Sequence, residues 1–173
     1  MNNEIKNMNN PKPDSISYSY QEPDLSKGSF IDYNVEEGPL TLYDKLSGLN
    51  TVATAFDGFR MCPTLIKKLT DSHEKLTVFV PLNKAFRNWG KSPTEDNLVP
   101  ILSKHLFDKA IIKSKLTDGM ELVPINSDTK FVVVLINGKF YLKNKNTNIR
   151  YEVLGDGESA ANGIFYFVEY LFD

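Results

Sequence analysis

Residues 76–86 read LTVFVPLNKAF, and this stretch decides the fold. Leu76 to Val80 carries Thr, Val and Phe between a charged segment and Pro81, the composition of a short buried strand. Proline has no N–H to give a sheet ladder, so Pro81 is expected to end that strand. Asn83 then stands as an N-cap, and Lys84, Ala85, Phe86 and Trp89 follow with helical spacing. The stretch therefore reads as a strand-to-helix corner. A second apolar run, NGIFYFVEYLF at 162–172, closes the sequence. It is apolar at both parities, as a strand covered on both faces would be.

Outward from this corner the chain changes character twice. Residues 1–38 are rich in Asn, Ser, Pro, Asp and Glu. Such a segment buries too little apolar surface to offset its ordering entropy, and it reads as an arm or linker. Phe30, Ile31, Tyr33 and Val35 are the residues expected to pin its end. After Pro39, Leu42, Leu46, Leu49, Ala53 and Phe56 recur at steps of four and three, one helical face. Gly48 is expected to split this run, with Asn50 a candidate cap for the second piece. Leu65, Ile66 and Leu69 suggest a further short helix. Ser92-Pro93-Thr94-Glu95 has the form of a capping box with proline at the first helical position. Pro100 is expected to open another helix, and His105 falls on the apolar face of Leu98, Ile101 and Leu102.

Beyond residue 109 the pattern turns to strands. The expected spans are Ala110–Lys113, Met120–Pro124, Phe131–Leu135, Lys139–Lys143, Asn148–Leu154 and Ile164–Tyr170. Asn137-Gly138 is a hairpin signal. Asp156-Gly157 and Asn162-Gly163 mark further turns. Helices first, one strand, more helices and then a strand meander make an α+β domain over 39–173, not alternating β-α units.

Composition narrows the function. Over 173 residues, 41 % are hydrophobic and 24 % charged, a globular balance. The formal net charge of −2 supplies no global field for nucleic acid. One cysteine, Cys62, allows no intrachain disulfide and reads as a small apolar side chain. No apolar run approaches the roughly 18 residues of a membrane span, and the first residues hold no signal core. Zinc, P-loop, dinucleotide and nucleophile-elbow motifs are absent, so no cofactor or metal is expected. His73 reads as a solvated loop residue. Asp156 and Glu158 in GDGES lack the ligand spacing of a calcium loop and read as a polar turn. Lys104, Lys109, Lys113 and Lys115, with Lys139, Lys143, Lys145 and Arg150, read either as a solvated, edge-protecting face or as a surface for acidic polysaccharide or anionic head groups.

Three segments together resemble the fasciclin I domain family: LTVFVPLNKAF at 76–86, ILSKHLF at 101–107 and NGIFYFVEYLF at 162–172. The resemblance covers about residues 39–173. It implies a wedge of two β-sheets flanked by several short helices, with the first and last segments as adjacent strands. Phe79, Phe86, Ile164, Tyr166 and Val168 would then be core, with Phe165 and Phe167 covered by helices on the other face. The motif positions carried over are Asn83, Ala85, Phe86, His105, Asn162 and Gly163, all mainly structural. Two positions depart from the family pattern: Leu82 stands where Thr is common and Lys104 where Tyr precedes His. The latter puts a carried-over receptor contact there in question.

The function the resemblance implies is a non-enzymatic binding module for cell adhesion or docking. Its partner would be a protein or polysaccharide at a cell surface, in a matrix or in a lumen. Lys104, Lys139, Lys143, Lys145 and Arg150 form the candidate contact surface. The location implied is the secretory pathway, whether extracellular, membrane-associated or vacuolar, with the signal segment absent from this chain. The competing reading is a carrier holding a lipid-like molecule in an apolar cleft between sheet and helices.

Overall fold

A computed structural model describes residues 38–87 and 89–172. The arm expected upstream, with Phe30, Ile31, Tyr33 and Val35, lies outside the described residues. Helix α1 spans Leu42–Ser47. Thr41 caps it through a reciprocal box with Asp44, and it stops at Gly48. A 3-10 turn over Asn50–Val52 follows, then α2 at Ala53–Arg60 and α3 at Pro63–Thr70, with Pro63 in its first turn. The break at Gly48 resets the helical phase. Val52, Ala55, Phe56 and Phe59 are buried, whereas Ala53, expected on that face, is exposed.

Helix α4 spans Glu95–Ser103 and corrects two expectations. Its cap is Thr94 boxed with Asn97, not Ser92 with Glu95. The later box sets both Glu95 and Asp96 in the first turn, where the helix dipole favours negative charge. Ser92 contributes only its carbonyl, which accepts from Asn97 Nδ2 at 2.7 Å. Pro100 does not open a second helix but lies inside this one. It is exposed, as is Asp96 one turn back, so the carbonyl it leaves without an intrahelical donor faces solvent.

Seven strands follow one spatial order, β2-β1-β7-β6-β5-β4-β3. They are β1 Leu76–Pro81, β2 Leu106–Phe107, β3 Glu121–Leu122, β4 Phe131–Ile136, β5 Lys139–Asn144, β6 Arg150–Ala160 and β7 Gly163–Val168. The long β6 serves two sheets. Residues from Arg150 to Val153 pair with β5, and those from Leu154 onward pair with β7. The register breaks between Leu154 and Glu158. Asp156-Gly157 is therefore a bulge inside a strand, not the turn its composition suggested. Gly155 and Gly157, at φ 86° and 87°, let the strand bend there, and a Cβ on Gly157 would sit 2.8 Å from Ile164 and Tyr166 side-chain atoms. Asn137-Gly138 does make the β4–β5 hairpin, with both residues at positive φ.

Ala110–Lys113 is not a strand. The chain there carries no ladder, and a single 3-10 turn forms at Lys113–Lys115. Strand β7 ends at Val168, two residues sooner than expected. The chain then brings Phe172 into the interior, where it is fully buried.

β1 and β7 run parallel in register, Phe79 opposite Tyr166. Their alternation divides the interior in two. Leu76, Val78, Val80 and Phe165 face an outer core with Leu42, Leu46, Phe56, Phe59, Leu65, Leu69, Leu98 and Leu102 of the helices. Phe79, Ile164, Tyr166 and Val168 face an inner core with Phe107, Phe131, Leu142, Tyr151 and Phe172. Beyond β3, the Ile125 N–H reaches back to the Leu106 carbonyl at 2.9 Å and draws the two ends of the strand order together. Phe86 is half-buried and packs at the margin of the outer core, because its one-turn helix, Asn83–Phe86, is too short to carry it inward.

Phe79 stacks on Tyr166 at 5.4 Å and meets Phe107 edge-on at 5.4 Å. Phe79→Ala should cost about 3–5 kcal/mol through a cavity walled by rigid rings. Urea unfolding monitored by circular dichroism would show it, and a near-neutral midpoint would contradict this packing.

Candidate functional site

The motif residues lie along β1, and each crosses to a different element. Asn162 is fully buried beside the start of β1. Its Oδ1 accepts the Leu42 N–H at 2.8 Å, an orphan donor of the first turn of α1. Its Nδ2 donates to the carbonyls of Leu69 and Asp71, both at 2.9 Å, at the C-terminal end of α3. Its own carbonyl accepts from the Leu76 N–H at 3.0 Å. One amide thus closes two helix ends and the first rung of β1. Gly163 follows because the parallel neighbour passes so close: a Cβ there would lie 2.2 Å from the Leu76 carbonyl oxygen.

His105 sits midway along β1. It lies just past α4 and not on its apolar face, since the helix ends at Ser103. Its Nδ1–H donates to the Phe79 carbonyl at 2.8 Å, and its Nε2 accepts the Phe172 N–H at 3.1 Å. That pair of partners fixes the neutral Nδ1–H tautomer. The ring stacks on Phe172 at 4.1 Å. Complete burial pushes its pKa down to about 3. With both nitrogens occupied and no path to solvent, it is poorly placed for acid–base work.

Asn83 lies past the end of β1 and does not cap its own helix, whose cap position is Leu82 without a side-chain bond. Its Oδ1 accepts the Thr54 N–H in the first turn of α2 at 3.0 Å, and its Nδ2 donates to the Asn50 carbonyl at 2.8 Å. It caps a helix 29 residues away. Asn50, the local candidate, contributes a carbonyl instead. Ala85 is half-buried at the same corner. Thr77, which sequence reasoning passed over, does comparable work. Its buried hydroxyl donates to the Lys109 carbonyl and accepts the Ile111 N–H at 2.9 Å. A Thr in a strand is too ordinary to signal such a role.

The basic residues are less uniform than their spacing suggested. Lys139 pairs with Glu152 at 3.5 Å, Lys145 with Glu121 at 2.7 Å and Lys113 with Asp156 at 2.7 Å. Lys143 lies directly across from Arg150 in the β5–β6 pair. Arg150 rests 5.8 Å from the Tyr141 ring. Lys104 belongs to the end of α4, next to β2. Arg150 also lines a groove of about 550 Å³ with Ala85, Trp89, Ile149, Tyr151, Tyr170 and Leu171, in which Tyr170 is 65 % exposed. The remaining chemistry is sparse. Burial pushes the Cys62 thiol up to about 11, aided by Glu95, which leaves it unreactive at neutral pH. Among the described residues there is no cluster of metal-ligating side chains and no helix long and apolar enough to cross a membrane.

This arrangement is that of a fasciclin domain. The family model matches residues 49–172, and the chain belongs to the fasciclin domain family. The chain is also similar to the FAS1 domain pair from the insect cell adhesion molecule fasciclin I, at 16 % identity and a TM-score of 0.64. That match covers 78 % of this chain and 51 % of the other, so the chain spans about half of that domain pair. No curated protein matches the chain.

Two outcomes test this wiring. Asn162→Ala strands one buried N–H and two carbonyls, and should cost about 3 kcal/mol or more in urea unfolding. His105 has a folded-state pKa far below its unfolded value near 6.5, so its contribution to stability is complete above that pH and is lost as pH falls toward 3. Between pH 6.5 and 5 the wild type should lose up to about 1.4 kcal/mol per pH unit from this group. His105→Gln, less stable throughout, should lack that slope.

Proposed function

We propose that this chain is a non-enzymatic docking module that holds an anionic partner, protein or polysaccharide, at a cell surface or in a lumen of the secretory pathway. The family supports the class, since fasciclin domains are generally adhesion modules. The disposition of Asn83, His105 and Asn162 supports it further, because their hydrogen-bonding capacity is spent inside the fold. What remains for recognition is the surface.

The observation that carries the reading is the Lys143–Arg150 pair. Like charges directly opposed across an antiparallel pair destabilise a sheet. Neither has a carboxylate partner among the described residues, while neighbouring Lys139 and Lys145 do. An anionic partner would relieve that repulsion, and exposed Ile149 and Tyr170 beside it supply apolar contact. The candidate surface thus contracts from five residues to Lys143 and Arg150. Lys104 is left apart, beside β2 at one end of the strand order.

The test is binding of labelled protein to intact cells of its source and to their isolated surface polysaccharides. Saturable binding should weaken about tenfold in Lys143→Ala/Arg150→Ala. Raising salt should weaken it in the wild type. Equal binding by wild type and variant would remove this face from the reading.

A further inference from the structure

A separate cleft of about 590 Å³ opens where the end of β2 faces β3. Ile111, Met120 and Leu122 line its apolar part, and Lys75, Lys109 and Lys115 are its cationic lining residues. Two carboxylates also line it, but each is already engaged from outside the lining. Asp108 shares Lys68, at 3.4 Å, with Glu74 at 3.3 Å, and Glu121 has Lys145 at 2.7 Å. With both carboxylates and Glu74 set against Lys68 and Lys145, the three lining lysines still leave a positive balance. Lys75, Lys109 and Lys115 have no carboxylate partner among the described residues. The cleft therefore carries a positive surplus over an apolar floor.

Its wall is built, although it is not part of any sheet. The segment through Lys109 and Ile111 lacks a ladder, yet both residues are tied to β1 by the Thr77 hydroxyl. The Tyr166 hydroxyl, from β7, donates to the Ile111 carbonyl at 2.7 Å. Two buried hydroxyls thus hold an irregular segment in place, and Lys109 within it is exposed. Ile111 and Leu122 are anchored in the inner core. No aromatic side chain lines the cleft, so nothing there would stack a nucleobase or a sugar ring.

We propose that this cleft binds a small amphipathic carboxylic acid, its apolar body against Ile111, Met120 and Leu122 and its carboxylate among Lys75, Lys109 and Lys115. The volume lies within the usual range for small-molecule sites. An apolar floor favours a hydrocarbon body over a purely ionic ligand, and the lysine surplus favours an acid over its neutral ester. The carrier reading of the sequence had placed such a cleft between sheet and helices. There, Phe56, Phe59, Leu65, Leu69, Val78 and Phe165 form the outer core.

The probe is the fluorescent polyene fatty acid cis-parinaric acid, titrated into the whole chain beside its methyl ester. Saturable fluorescence enhancement is expected with the acid, with the ester about tenfold weaker or worse. Lys75→Ala/Lys109→Ala/Lys115→Ala should lose about tenfold in affinity for the acid while keeping its melting temperature. Lys143→Ala/Arg150→Ala should bind the acid as the wild type does, which keeps this proposal separate from the docking surface. No binding of the acid, equal binding of acid and ester, or an unaffected triple variant would each overturn it. Full displacement by inorganic phosphate at equal concentration would also overturn it, by showing a simple anion site.

Discussion

The fold depends on a strand that must be dry on both faces. β1 lies between an outer core of helices and an inner core of aromatic rings, and every one of its residues is buried. Each buried N–H and carbonyl near it needs a protein partner. The parallel pairing with β7 meets most of this demand and is close enough to exclude any side chain at Gly163. A parallel pair cannot satisfy the irregular chain packed around it, and there side chains take over. Asn162 serves the start of β1, His105 its middle and Asn83 the corner past its end. Each joins segments far apart in sequence, so the helices are fastened to the sheet at points as well as packed on it.

This demand accounts for how function is distributed. Residues of a type that elsewhere perform chemistry are used up as internal cross-links. A histidine with both nitrogens bonded and its ring stacked on Phe172 has nothing left for a substrate. The two recognition surfaces proposed above accordingly fall outside these cross-links: one on β5–β6, the other on the loop wall between β2 and β3. The second of these still borrows rigidity from the core, since the hydroxyls of Thr77 and Tyr166 reach out from β1 and β7 to fix it.

The parts of the fold legible in the sequence are those set by local pattern. Leu76–Val80 and the final apolar run announced themselves by composition and by burial at both parities. Asn137-Gly138 declared its hairpin through the positive φ that both positions require. What failed were choices between equally good local signals. Ser92-Glu95 and Thr94-Asn97 are overlapping capping boxes, and the dipole's preference for two acids in one turn decided between them. Asp156-Gly157 has turn composition, yet pairing on either side keeps it inside β6. Ala110–Lys113 has strand composition, but side-chain hydroxyls took the bonds that a neighbouring strand would have made. Of the candidate site, the motif positions could be picked out in the sequence, but their hydrogen-bond partners could not. Nothing near Asn83 in sequence points to Thr54, and nothing near Lys139 or Lys145 points to Glu152 or Glu121.

The closure of the chain carries the same logic to its end. Strand β7 stops four residues before the apolar run does, and the surplus is put to use when Phe172 returns to the inner core. There it touches His105, Phe79, Phe131 and Tyr151 by ring contacts, and its N–H completes the histidine. Without that residue, Nε2 of His105 would be a buried acceptor with no donor, and the inner core would lack its central ring. The histidine thus joins the middle of β1 to the last turn of the chain. Lys104 beside it stays half-buried at the end of α4. A position flanking such a cross-link is held in place by it, so Lys104 is rigidly presented whatever side chain stands there. The scaffold that β1 demands thereby supplies fixed mounting points for the surface residues, including those of the proposed docking face.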